Sequence, residues 1–244
     1  MFPIFKNEIN LFFSSIIGYI SIGIFLISTW LICWFLPGEN NIFDYGFATL
    51  DSFFYWAPIV FFFLVPALTM RSFSEEYRTG TIETLYTKPL SDMQIIVGKF
   101  FAAWLLLLIA LVPTVIYLFT VYHLASPVGN IDLGAAAGSY LGLWCMGGVF
   151  VAIGIFASSL TSNQIVSFMV AFFISIFLYM AFDSLANLSI FYAKFDAIVV
   201  QIGIAHHYQS ISRGVIDTRD VIYFASMIGL FIFSTHLVLQ KRKW

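Results

Sequence analysis

Six long apolar stretches, nearly free of charge, limit what this chain can fold into. A run of about 18 or more apolar residues is long enough to cross the hydrocarbon layer of a bilayer as a helix. The stretches lie at approximately 17–36, 53–70, 100–122, 137–158, 165–182 and 221–239. In lipid, a spanning segment has to satisfy its own backbone N–H and C=O groups. The expected fold is therefore an all-α, polytopic membrane protein with six transmembrane helices, read as one transmembrane domain over 1–244. Composition agrees, since 61% of residues are hydrophobic, 10% are charged and 29 are Phe. A water-exposed surface needs a larger polar share than this.

The opening segment, "MFPIFKNEINLFFSS", differs from a cleaved signal. Lys6 and Glu8 sit inside an amphipathic pattern, and no small-residue cleavage site follows the apolar run. Phe2, Ile4, Phe5, Ile9, Phe12 and Phe13 can line one side of a short helix in the headgroup layer. The alternative is a plain lead into the first span. The two cysteines, Cys33 and Cys145, both fall in apolar segments and read as small buried hydrophobes.

Orientation follows from the placement of Lys and Arg. With a cytoplasmic N-terminus, Lys6, Arg71, Arg78, Lys88, Lys99, Lys241, Arg242 and Lys243 all fall inside. Only Lys194, Arg213 and Arg219 fall outside. Both termini are thus expected in the cytoplasm. The last outer loop, 183–220, is long and half apolar. Phe191, Phe195, Ile198, Val199 and Ile202 recur in it at helical spacing, which predicts a short helix or two at the outer face. Pro58, Pro66 and Pro113 predict kinks in spans two and three. Gly138, Gly142, Gly147, Gly148 and Gly154 predict that span four packs centrally, because small residues allow close helix approach.

The polar residues concentrate in "MRSFSEEYRTGTIETLYTKPLSDMQIIVGK", Met70–Lys99. "RSFSEEYRT" extends the second span as a polar helix, and Gly80 is placed to end it. "TIETLYTK" then reads as a separate two-turn helix. Ile82, Leu85 and Tyr86 share one face, while Glu83, Thr84, Thr87 and Lys88 take the others. Pro89 stops it. "SDMQ" matches a capping box for the next helix. A helix this short is marginal alone in water and needs a surface to bind. Two surfaces fit equally: a groove on a partner protein, or the lipid surface.

This stretch resembles the permease subunits of ABC transporters of the type-2 exporter class. Their E-x-x-x-G-T-x-E-x-L-x-x-x-P-x-S pattern after the second span is matched by Glu76, Gly80, Thr81, Glu83, Leu85, Pro89 and Ser91. "SSLTSNQIVSF" is similar to the family's turn between spans four and five, and "ISRGVIDTRDVIYF" to its approach to the last span. With "NIFDYGF" and "SPVGN" in the outer loops, the whole chain resembles the permeases of gliding-motility-associated ABC transporters. The resemblance implies a six-span half-transporter of the bacterial inner membrane with an N-terminal elbow helix. It further implies a cytoplasmic coupling helix after span two that docks on a separate ATP-binding subunit. Two permease halves would pair, and an auxiliary membrane protein would accompany them. The docking surface is expected at Glu76, Gly80, Thr81, Ile82, Glu83, Leu85, Tyr86 and Lys88. In this reading Ile82, Leu85 and Tyr86 fill the cleft, and Glu83 and Lys88 set its register. A non-transporting scaffold, or a metal- or lipid-handling exporter of the same class, are the alternatives.

The chain has no G-x-x-x-x-G-K-[ST]; "IIVGKF" lacks the upstream glycine and the hydroxyl. ATP is therefore expected on the partner, with no cofactor, metal or catalytic residue on this chain. No basic stripe suggests nucleic acid. His206 and His207 are adjacent, a spacing that points two ligands apart. His236 reads as a packed polar residue near the inner end of the last span. Asp217 is a candidate N-cap, and Arg219 a candidate partner for a neighbouring carboxylate. No charge falls within an expected span core, which argues against a proton-coupled carrier or a membrane protease.

Overall fold

The computed structural model describes residues 2–44, 46–86, 90–186 and 200–242, and of 84–86, 183 and 186 the backbone alone. Among these residues there is no strand. Six helices are long and apolar enough to span a bilayer: Ile16–Phe35, Asp51–Thr79, Asp92–Leu124, Leu133–Leu160, Gln164–Phe182 and Thr218–Arg242. Each contains or closely overlaps an expected span.

The helical elements are α1 (Phe2–Ser14), α2 (Ile16–Trp30, extended by one wide turn over Leu31–Phe35), α3 (Asp51–Thr69), α4 (Ser74–Thr79) and α5 (Thr81–Tyr86). They continue with α6 (Asp92–Leu111), α7 (Val115–Leu124), α8 (Leu133–Leu160) and α9 (Gln164–Ala186). The last two are α10 (Ile204–Ser212) and α11 (Thr218–Arg242). Several helices outrun their apolar windows because caps, not hydropathy, end them. Ser91 accepts from the Gln94 N–H while the Gln94 side chain accepts from the Ser91 N–H, the expected capping box. That cap starts α6 at Asp92, ahead of the apolar span that opens near Phe100. Lys99, counted above with the loop cations, accordingly lies inside α6 and is buried. Asp132 caps α8 by accepting from the Ala135 N–H at 2.9 Å.

The expected central position of the fourth span is borne out. Most of α8 is buried, with α3, α6, α9, α10 and α11 packed around it, whereas α9 and α11 each bury only an edge. Two glycines set the approach distance. A methyl group at Gly154 would lie 2.0 Å from Thr69 Oγ1, and one at Gly147 would lie 2.1 Å from Leu107 Cδ2. Helix α1 packs on α6 through Ile4 and Glu8 and leaves Phe2 and Leu11 exposed. The apolar side expected from the sequence is thus divided, with Ile4 buried against the bundle and Phe2 turned outward.

Pro58 and Pro66 lie inside the continuous helix α3, and Pro113 lies where α6 gives way to α7. Pro58 lacks the N–H that would serve the Phe54 carbonyl. The buried Tyr208 hydroxyl of α10 donates to that carbonyl instead, at 2.9 Å. Burial pushes the Tyr208 phenol well above its ordinary pKa. At Pro113, α6 tightens into a 3₁₀ turn over Val112–Thr114 before α7 begins. There the Tyr140 hydroxyl donates to the Thr114 carbonyl at 2.9 Å.

In the last outer loop, α10 is a short amphipathic helix with Ile204, Ala205, Tyr208 and Ile211 buried. Of the residues expected there, Phe191, Phe195, Ile198 and Val199 lie outside the described residues. Helix α10 and the loops 37–50 and 125–132 form one end of the bundle. The opposite end gathers α1, α4, α5, the turn at Thr161–Asn163 and the end of α11. There Arg242 donates to the Leu160 carbonyl and lies 4.3 Å over the Tyr77 ring.

Two substitutions test this account. Tyr208→Phe leaves the Phe54 carbonyl unpaired and is expected to cost about 1–3 kcal/mol. In a Pro58→Ala background the new N–H serves that carbonyl, so the cost of Tyr208→Phe should shrink, as a double-mutant cycle of unfolding in mixed micelles can show. Gly154→Ala should cost about 1–3 kcal/mol by overpacking. Gly23→Ala, where nothing lies within 4 Å, should not.

Candidate functional site

The charged end of the bundle is built where α3 breaks. Over Met70–Phe73 the chain turns, and α4 restarts at Ser74. Such a turn frees backbone groups that a continuous helix would pair. Two buried side chains take them up. Ser158, on α8, accepts from the Phe73 N–H at 2.8 Å and the Ser74 N–H at 3.0 Å, and donates to the Met70 carbonyl at 3.2 Å. Lys99, on α6, donates to the Ser72 carbonyl at 2.7 Å.

The same Lys99 ammonium makes two ion pairs. Its Nζ lies 2.5 Å from Glu8 Oε1 on α1 and 2.7 Å from Glu76 Oε1 on α4. An ammonium has three N–H donors, and all three are used. Its side chain is 1% exposed, while those of Glu8 and Glu76 are 19% and 22% exposed. The Phe73 ring lies 5.0 Å from Nζ. One cation therefore ties α1, α4, α6 and the α3–α4 turn together.

A second charged group lies alongside. Glu75 pairs with Arg71 at 3.6 Å and Arg78 at 3.2 Å, and accepts from the Gln164 side chain of α9 at 2.9 Å. Arg71 also donates to Ser15 Oγ, between α1 and α2, at 2.9 Å. Helix α4 is thus linked by side chains to α1, α6, α8 and α9.

From this braced base the chain turns at Gly80, whose φ is +72°, the left-handed conformation that the sequence assigned to it. Helix α5 follows. Gly80, Thr81 and Glu83 are exposed, while Ile82 is buried in the chain's own core. Leu85 and Tyr86 lie on the last turn of α5, and their side chains are not among those described. Lys88, Pro89 and Thr87 lie outside the described residues. Glu76 stands apart from the α5 residues, because its carboxylate is engaged with Lys99. The expected docking residues that are described therefore divide into the half-buried Glu76 and the buried Ile82, which hold the base, and the exposed Gly80, Thr81 and Glu83. The expectation that Ile82 fills a partner's cleft is overturned by its burial in this chain's own core.

Sequence reasoning missed Ser158, Gln164 and the cluster around Lys99. Lys99 carried a detectable signal, since it lies two turns beyond a capping box with only apolar residues after it. The partners of Ser158 are 84 and 85 residues away, and no local pattern marks them.

At the other end, His207 Nδ1 lies 2.6 Å from Asp220 Oδ1, and its Nε2 lies 2.8 Å from the Gln201 carbonyl. Its ring stacks on Tyr223 at 3.8 Å. The His206 and His207 rings lie edge to face, with centroids 5.6 Å apart and planes at 77°. Among the described residues no three metal-ligating side chains gather. Asp217 caps α11, accepting from the Arg219 N–H at 2.9 Å. The Arg219 side chain is exposed, and among the described residues it makes no ion pair.

Comparison with known proteins returns one family: the model described as ABC-2 family transporter protein matches residues 9–238, nearly the whole chain. No curated protein matches the sequence.

Lys99→Met removes the shared cation and leaves two half-buried carboxylates facing each other. Breaking a buried ion pair from one side costs about 3–5 kcal/mol, and a loss of that size is expected in mixed-micelle unfolding. Helix α1 should also become sensitive to protease. Glu8→Gln should cost less, because Glu76 still neutralises the ammonium.

Proposed function

From the premise that this chain belongs to the ABC-2 transporter family, and so is the membrane permease of an ABC transporter working with an ATP-binding subunit, we propose that α5 is the helix on which that subunit docks. The observation that carries this reading is the placement of α5. It is a single short helix set off by the left-handed Gly80, with Thr81 and Glu83 exposed, on a base cross-linked to four other helices. Ile82 seats α5 on the bundle. Thr81, Glu83, Leu85, Tyr86 and Lys88 offer the contact, and Glu76 holds the base in place through Lys99. Closure of the ATP-binding subunits then moves α4 and α5 as one body, and Ser158 and Lys99 pass that displacement to α8, α6 and α1.

In this reading ATP is bound and hydrolysed on the partner, and the permease is not itself an enzyme. The chain lies in the bacterial inner membrane with both termini in the cytoplasm, which the asymmetry of Lys and Arg supports. It pairs with a second permease or an auxiliary membrane subunit. The physiological role proposed is export linked to gliding motility, supported by the full-length resemblance that includes "NIFDYGF", "SPVGN" and "ISRGVIDTRDVIYF".

Glu83→Arg reverses an exposed charge on α5 without touching the core. It should leave the permease in the membrane, abolish co-purification with the ATP-binding subunit and remove stimulation of ATP hydrolysis in proteoliposomes. Unchanged binding and stimulation would place the docking surface elsewhere. Ile82→Asp is not a clean test, because a buried carboxylate would disturb the bundle itself. Cysteine labelling at position 83 from the cytoplasmic side alone is the expected topology result. For the motility role, deletion should abolish colony spreading, and the Glu83→Arg copy should fail to restore it.

A further inference from the structure

A cavity of about 530 Å³ opens between α1, the end of α3, α4 and α6, beside the Lys99 cluster. That volume suits a small-molecule site. Its two halves differ. One wall is apolar, formed by Leu11, Phe12, Leu68 and Leu106 with the small Ala67 and Ala103. The other carries Arg71 and Lys99 with Glu8, Glu75 and Glu76. These three carboxylates are matched by Lys99, Arg71 and Arg78, the last of which pairs with Glu75 from outside the cavity lining.

Two buried polar atoms on this wall lack hydrogen-bond partners. Glu76 Oε2 has none, although Oε1 of the same carboxylate is held by Lys99. Arg71 Nε has none either, since its nearest carboxylate oxygen, on Glu75, is 3.6 Å away. Buried polar groups are almost always satisfied, so an orphan acceptor and an orphan donor beside one cavity point to something that occupies it. The acceptor calls for an N–H donor of positive charge. The donor calls for an anionic oxygen, and guanidinium suits phosphate. Water could meet both atoms but would wet the apolar wall. A free polar metabolite leaves that wall equally unpaired. The complement is an amphiphile whose head carries both an ammonium and a phosphate and whose tail is hydrocarbon.

We infer that this cavity binds a phospholipid with a primary-amine headgroup, taken from the leaflet on the α5 side of the membrane. The ammonium sits towards Glu76, the phosphate towards Arg71, and the upper acyl chain along Ala67, Ala103 and Leu106. A quaternary amine has no N–H for Glu76. A headgroup with phosphate but no amine brings no ammonium to Glu76. The inference rests on the helices spanning a bilayer and not on docking at α5.

The test uses the delipidated permease in a neutral detergent, without its ATP-binding subunit, so that failure of docking and failure of this site are separable. Short-chain phosphatidylethanolamine should raise the melting temperature saturably. Short-chain phosphatidylcholine and phosphatidylglycerol should bind about tenfold more weakly or worse, the loss expected for one charged hydrogen bond. O-phosphoethanolamine, the headgroup without a tail, should give no shift. Arg71→Gln should weaken phosphatidylethanolamine about tenfold. Ala67→Phe, at a half-buried position on the apolar wall, should abolish its effect while each variant's unliganded melting curve shows that it folds. Should Ala67→Phe fail to fold, Ala67→Leu provides the smaller obstruction, with a partial loss expected. Equal stabilisation by all three lipids, a shift with phosphoethanolamine alone, or undiminished binding in both the Arg71 and Ala67 variants would overturn the site.

Discussion

Hydrocarbon offers a backbone no hydrogen-bond partner, and the structure is arranged around that constraint. A straight helix meets it unaided. This chain lacks a helical N–H at Pro58, turns at Met70–Phe73 and tightens into a 3₁₀ turn at Val112–Thr114, and a side chain from another helix bonds to the backbone at each of these points. Tyr208 serves the carbonyl freed by Pro58, Ser158 and Lys99 serve the break after α3, and Tyr140 serves the turn at Pro113. Every one of these bonds crosses between elements distant in sequence. The irregular points of the bundle are thus also points where its helices are joined.

The joint after α3 differs from the other two because it carries charge. A hydroxyl alone would satisfy the turn. Lys99 satisfies it and also recruits two carboxylates from two further helices. A cation so far out of water requires such compensation, since an unpaired ammonium in this position is unfavourable by several kcal/mol, on the order of the effective desolvation penalty. The pairing has a mechanical result. Helices α1 and α4 cannot separate from α6 without exposing or orphaning a charge, so a displacement applied to α4 is resisted cooperatively. A proposed docking helix needs a rigid base of this kind, because α5 has too few residues to hold its own shape.

How much of this could be read from residues alone depended on the range of the interaction. The six spans, the left-handed Gly80, the Ser91–Gln94 capping box, the Asp217 cap and the central glycine-rich α8 are all local or periodic properties, and the structure has each of them. The capping box marked where α6 begins, ahead of the apolar window that opens at Phe100, and the helix starts there at Asp92. The burial of Lys99 within it was not legible, because a lone cation at the edge of an apolar window reads as exposed. The partners of Lys99 are 91, 27 and 23 residues away, and those of Ser158 farther than 80. Nothing in spacing or composition encodes such pairs. The apolar face of Ile82, Leu85 and Tyr86 was legible, but that the chain's own core covers Ile82 and that Lys99 engages Glu76 were not, because amphipathicity shows that a face is apolar without showing what covers it.

The Lys99 cluster and the adjacent cavity are better understood together than apart. The cluster uses one oxygen of Glu76 and leaves the other buried beside open space. A cavity lined only by matched pairs would have no preference for its contents; one that leaves an acceptor and a donor unmatched, next to an apolar wall, selects by chemistry. Its position matters as much as its lining. It lies between α1 and α6, which Lys99 holds together, and it touches α5 at Thr81. Any occupant therefore adds contacts to the arrangement in which α1, α4 and α6 are closed on Lys99, and by linkage stabilises that arrangement over any in which they have parted. The base of the proposed docking helix would then be held by the protein's own ion pairs and by the membrane around it.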